Sequence, residues 1–175
     1  MPIIKIYPSK RPVRGILQYI TRGDTVPEEL IRTNGCDILD AEQEFSDIAR
    51  YYNKPIGVGN RTYYHMIVSY NTTYEKISPE EVRDMVKDLC QRTKIDCYQW
   101  YLAVHTDRPD HMHAHVVINN VSYRGDRKQH VKAGKSFQST GKLRHELMEK
   151  GNVICKEHGY EHSMVNTKSK AQERL

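Results

Sequence analysis

HTDRPDHMHAHVVINN, residues 105–120, carries four of the nine histidines within eleven residues and runs on into an apolar segment. Alternate side chains of a strand share a face, so a strand here points His113 and His115 the same way, roughly 6.5–7 Å apart. The preceding YQWYLAV, residues 98–104, alternates Tyr98, Trp100, Leu102 and Val104 with Gln99, Tyr101 and Ala103. A hairpin turning around Arg108, Pro109 and Asp110 in symmetric register sets His105 opposite His113 and Ala103 opposite His115. Three imidazoles then converge on one face, with Trp100, Leu102 and Val104 packed behind it. Three nitrogen ligands with coordination positions left open suit a catalytic divalent metal. Such a cluster can equally be a solvated, titrating surface. Strand period and hairpin symmetry are separate arguments for the same three residues, and together they favour the metal. Nitrogen ligands admit Zn, Co, Ni or Mn more tightly than Mg, with Mn or Mg the expected working ions. His111 falls in the turn and is read as outward-facing, although HMHAH contains two overlapping HxH pairs.

The 175 residues are enough for one domain, and the formal net charge of +5 suits a polyanionic partner. Cys36, Cys90, Cys97 and Cys155 show no CxxC spacing, so neither a zinc knuckle nor a disulfide framework is indicated. Reduced thiols and a cytoplasmic location are expected. No secretory leader and no apolar run long enough to span a bilayer is read.

Residues 2–7, PIIKIY, are expected to form a strand ended by Pro8. Val13, Ile16, Leu17 and Ile20 then fall on one stripe of a helix opening with Pro12 and ending near Gly23. Tyr19 flanks that stripe among Lys10, Arg11, Arg14 and Arg22, ordinarily no more than a tyrosine on a basic surface helix. Residues 24–39 lack periodicity and are expected to be a loop. Asp40 opens a second helix, with Gln43 as partner in a capping box and Ala41, Phe45, Ile48, Ala49 and Tyr52 inward. TYYHMIVSY, residues 62–70, is a strand with Tyr63, His65, Ile67 and Ser69 on one face and Tyr64, Met66, Val68 and Tyr70 on the other. SPEEVRDMVKDLCQR is the clearest helix, capped by Ser78, with Pro79 first and Glu81 closing the box. Arg124, Arg127, Lys128, Lys132 and Lys135 face one acid, Asp126, in a run that is either a solvated loop or a phosphate-binding arm. A last helix covers 140–157. Strands with one apolar face alternating with amphipathic helices give an α/β (α+β) domain over residues 1–160. Its central sheet is mainly antiparallel, with helices packed on one face and the histidines on the other. Residues 161–175 read as a polar tail or the start of a linker.

HxDx5HxH followed by VVIN, downstream of a tyrosine in LxYI, resembles the HUH endonuclease superfamily and, within it, the conjugative relaxases of the MobP class. Three motifs match in order. GILQYITRG resembles the first, whose tyrosine is the nucleophile, here Tyr19. YHMIVSY resembles the second, whose serine helps hold DNA, here Ser69. HTDRPDHMHAHVVIN resembles the third, which implies His105, His113 and His115 as metal ligands and Asp107 as the acid that tunes the site or assists the nucleophile. His65, Asn119 and His111 are candidates to support these ligands from behind. Arg14, Arg22, Arg124, Arg127 and Lys128 are candidate DNA contacts.

The resemblance implies a relaxase that nicks one strand of single-stranded or hairpin origin-of-transfer DNA through a 5′-phosphotyrosine, with accessory relaxosome and coupling proteins as further partners. Two other readings stay open. A rolling-circle initiator or single-strand transposase of the same superfamily would place the nucleophile after the histidines, at Tyr123 or Tyr160. A non-catalytic DNA-binding module would keep the metal for structure alone. The adjacent Tyr51 and Tyr52 imitate the paired tyrosines of other relaxases, but Tyr52 lies on a core stripe and the pair is read as structural.

Overall fold

In the computed structural model the described residues are 3–55, 57, 59–73 and 75–161, so the expected tail lies outside them apart from Glu161. The chain runs β1 (Ile3–Ser9), α1 (Val13–Ile20), β2 (Ile31–Asn34), α2 (Ala41–Tyr51), β3 (Tyr63–Ser69), α3 (Pro79–Gln91), β4 (Tyr98–His105), β5 (His113–Ser122) and α4 (Gly141–Glu157). Its five strands form one sheet in the order β1-β3-β5-β4-β2, every neighbouring pair antiparallel.

The β4–β5 hairpin is the centre of this sheet, in the symmetric register expected: His105 pairs with His113 and Ala103 with His115. Both strands are flanked on each side, so neither exposes an edge to water. Trp100, Leu102 and Val104 point to the opposite face and pack with Met66, Val116 and Ile118 against α3 and α4. Leu102, Met66 and Val116 are fully buried there, each contributing about 1.5–3 kcal/mol by leaving water. Val82, Met85, Val86 and Leu89 supply the facing stripe of α3, whose start is fixed by the Ser78–Glu81 capping box and Pro79.

The helices divide between the two faces, where the sequence suggested one. α3 and α4 cover the apolar face, while α1 and α2 lie over part of the other through Val13, Ile16, Leu17, Ile20, Ala41 and Phe45. Their sheet partners Tyr63, Tyr101, Ala103 and Val117 share the face of the histidines. That face is thus apolar at one end and polar at the other.

Local expectations met their physical limits in three places. Pro8 does not end β1, because β1 is an edge strand and an edge position tolerates a residue without an N–H. Residues 24–39 are not all loop: a 3-10 turn at Glu28–Leu30 leads into β2, which pairs with β4. Asp40 starts α2 without a side-chain cap bond, because its backbone (φ −113°, ψ 8°) is not the extended one of a capping residue, and the Gln43 amide donates to Asp47. Gly23 is left-handed (φ 61°) and its amide caps α1 as expected, but Arg22 before it (φ 53°) is left-handed too.

Candidate active site

The last turn of α1 builds one wall of the histidine cluster. Ile20 is fully buried and pins that turn to the sheet. Beyond it the amide of Gly23 donates to the carbonyl of Gln18 (3.0 Å) and that of Arg22 to the carbonyl of Tyr19 (3.2 Å). This is a Schellman ending with Arg22 in the left-handed region, φ 53°, where glycine is usual. The turn directs three groups at the histidines. The carbonyl of Ile20 lies 2.8 Å from His105 Nε2. The Arg22 guanidinium lies 3.3 Å from His105 Nδ1 and 3.2 Å from the Asp107 carboxylate. The Tyr19 ring sits edge-on to His115 and His105, with centroids 5.6 and 6.1 Å away.

His105, His113 and His115 each offer a ligand nitrogen, all within 4.8 Å of one another. Hydrogen bonds decide which nitrogen is free. A carbonyl only accepts, so His105 Nε2 donates to Ile20 and its Nδ1 keeps the lone pair. His113 Nδ1 faces the carbonyl of His111 at 3.3 Å, which frees Nε2. His115 Nδ1 lies 2.7 Å from His65 Nε2, while its own Nε2 is buried without a protein partner. A buried orphan nitrogen on His115 beside the free Nε2 of His113 and the His105 Nδ1, whose lone pair here accepts from Arg22, fits a divalent ion that would take Arg22's place at His105, and each ligand is oriented from behind as metal-binding imidazoles usually are. Burial, and then the neighbouring His105, push the His115 imidazole down to about 2 and the His65 imidazole down to about 4. Burial likewise lowers His105. All three are neutral at physiological pH, the state in which imidazole can bind a metal or accept a bond.

The family model for the MobA/VirD2-like relaxase nuclease domain matches residues 19–160. The chain belongs to that family. Among relatives of this relaxase domain, protein rlx of Staphylococcus aureus is 29% identical over 124 residues, 71% of this chain and 35% of that protein. A second rlx from the same organism is 27% identical over 124 residues, 71% of this chain and 34% of that one. The chain therefore spans about a third of the length of the curated relatives it matches. A solved chain from work on the molecular basis of vancomycin resistance transfer in Staphylococcus aureus has TM-score 0.62 to it. At 10% identity, over 95% of this chain and 96% of that one, the likeness is one of fold.

The relaxase fold gathers some of the candidates and separates others. His105, His113, His115, Tyr19, Arg22, Asp107 and His65 come together, and Ser69 pairs with His113 across β3 and β5. His111 is exposed and contributes its carbonyl. Asn119 is engaged elsewhere: its amide donates to the carbonyl of Phe45 and to Gln99, tying α2 to the sheet. Arg14 is exposed and paired with Glu42. Arg124 is held by Asp96 through both side chain and carbonyl. Arg127 and Lys128 are exposed but follow the far end of β5, whose nine steps from His113 to Ser122 span about 30 Å. Tyr123 is at that end too, directed at Asn34, and Tyr160 donates to Glu81 beside α3. Tyr52 packs on Gly134 while Tyr51 stands in solvent. The role of the Ile20 carbonyl has no signal in the sequence, because a backbone atom has no letter.

Proposed function

We propose that this domain nicks one strand of DNA at a transfer origin by transesterification, with Tyr19 as nucleophile. The observation that carries the reading is the Tyr19 ring standing edge-on to His115 and His105 of the three-histidine cluster, while Tyr123 and Tyr160 are engaged elsewhere. A divalent ion held by His105, His113 and His115 would neutralise charge on the scissile phosphate and orient it for in-line displacement.

The chain's own residues do the rest. The buried last turn of α1 holds Tyr19 in a fixed place, so attack needs little ordering at the moment of reaction. The Tyr19 oxygen forms a bond to phosphorus as the bond from phosphorus to the 3′ oxygen breaks. The phenolic proton leaves to solvent, to which Tyr19 is 53% exposed, and the 3′ oxygen takes up a proton to leave as a hydroxyl. One phosphoester replaces another, so the step needs no nucleotide cofactor and can run backwards to reseal the strand. Arg22, fixed by Asp107, adds positive charge 6.0 Å from the Tyr19 ring centre, where a phosphate would arrive. Ser69, in the same cross-strand row as His113 and His105, is placed to contact the strand beside the cut.

The test is incubation with single-stranded candidate origin oligonucleotides and Mn, followed by peptide mapping of any protein–DNA adduct. The expected adduct is on the peptide containing Tyr19, and Tyr19→Phe removes it. A metal-binding protein that forms no adduct with any origin strand would favour the non-catalytic DNA-binding module.

A further inference from the structure

We propose that the uncovered half of the histidine-bearing face, made by β1 and β3, is a stacking floor for single-stranded DNA, with Tyr7 as the ring on which a base lies. This rests on the nuclease reading above and adds to it the path of the strand. Cross-strand register lays out the surface in rows: Ile3–Ser69–His113–His105, Lys5–Ile67–His115–Ala103 and Tyr7–His65–Val117–Tyr101. α1 and α2 cover the lower part of this face, at Val117, Tyr101 and Ala103 and at Tyr63 at the start of β3, so the open part of β3 runs from His65 to Ser69. The β1 end of each row is bare.

Among the described residues, Ile3, Tyr7 and Tyr19 are three of the six large exposed hydrophobics, at 52%, 50% and 53% exposure, and all three border this face. The fold does not require them there. Ile4 and Ile6, pointing the other way, already pack β1 onto the main core. An edge strand showing isoleucine and tyrosine to water invites association, and proteins ordinarily blunt such edges with charge. Here the one charged outward residue of the two strands is Lys5, and no acid shares their outward positions.

An apolar, aromatic and basic strip without acids fits single-stranded nucleic acid, whose exposed bases stack on aromatic rings while phosphates meet lysine. A duplex fits it poorly, because its bases are already stacked. The strip also joins the site directly. Tyr7 pairs with His65, whose imidazole holds His115. At ordinary strand spacing Tyr7 is about 10 Å from β5.

The experiment uses 20-nucleotide oligo(dT) carrying 5-iodouracil, with binding read by fluorescence anisotropy and contacts by photocrosslinking and peptide mapping. Tyr7→Ala should weaken binding about tenfold with an unchanged melting temperature, and Tyr7→Phe should stay within about twofold. The crosslinked peptide of the unaltered protein should contain Tyr7. Lys5→Glu should weaken binding and flatten its salt dependence. Unchanged affinity in Tyr7→Ala, with the Tyr19 adduct still forming, overturns the floor and leaves the nuclease reading intact. A Tyr7-dependent crosslink with no adduct on any origin strand keeps the floor and removes that reading. A dimer without DNA that Tyr7→Ala dissolves would show instead that the strip binds a second copy.

Discussion

Arg22 is held in a backbone region that costs an ordinary side chain about 1–2 kcal/mol, at the one turn that places its guanidinium between His105 and Asp107. Strain of this kind at a site points to function. Arg22→Gly should relieve it, partly offset by the freer unfolded chain and the loss of an exposed ion pair. The thermal midpoint should rise by about 1–2 °C while adduct formation falls at least tenfold; a clear drop in the midpoint would show that the turn is not strained. His113→Ala should weaken Mn or Zn binding by calorimetry more than about 100-fold with the circular dichroism spectrum unchanged. His65→Ala should weaken it about 10–100-fold, because the free Nε2 of His115 depends on its other nitrogen being held. Equal metal affinity in His65→Ala would mean that His115 is oriented by packing alone.

At the level of elements, α1 has eight residues, too few to persist by itself, and its stripe on Tyr101, Ala103 and Val117 is what places Tyr19. α3 is the opposite case, with its own start signals and a full core stripe. The Tyr160 hydroxyl first, and then the Ser78 amide, hold the Glu81 carboxyl below the usual carboxylate range. A carboxyl lowered by folding adds stability above its unfolded pKa of about 4.3, and that stability is lost as pH falls through the folded value. Glu81→Gln should therefore lower the melting temperature at pH 7 and change it little at pH 3; an equal loss at both would assign the effect to shape. These two helices also show what a sequence displays. The hairpin and α3 were legible because each repeats a pattern over eight or more residues. β2 was not: Ile31-Arg-Thr-Asn34 has one fully buried side chain and is strand only because β4 lacks a neighbour on that side. Gln43 had the right spacing for a cap, but spacing does not show the backbone of Asp40, which is not extended as a capping residue is.

Across the whole molecule, Tyr19 stands by the His113 end of β5, while the candidate DNA contacts Arg127 and Lys128 follow its Ser122 end, and the strand between spans about 30 Å. The double change Arg127→Glu and Lys128→Glu should weaken binding of a long hairpin-bearing strand and lower its salt slope by about 2, while a six-nucleotide strand binds as before. Loss of both would place the basic run at the site after all. The sequence named the run but not its distance, because charge along a chain carries no direction in space until the sheet is built. It likewise showed apolar stripes on α1 and α2 without saying which face of the sheet they cover, since both faces of β4 and β5 are apolar away from the histidines. The three candidate ligands and their register were readable because local period and hairpin symmetry fix them without the rest of the fold; Tyr19 was not, since its helix alone reads as a basic surface helix, and only the likeness of GILQYITRG to the relaxase motif singled it out. The claim that joins them is that the cluster serves a covalent step at Tyr19. Intact-mass and peptide analysis of the protein after incubation with an origin strand and Mn tests it most directly. The expected result is a 5′-linked DNA fragment on Tyr19, absent in Tyr19→Phe although that variant still binds metal and DNA. An adduct that survives Tyr19→Phe and maps to Tyr123, Tyr160 or the Tyr51–Tyr52 pair would contradict it.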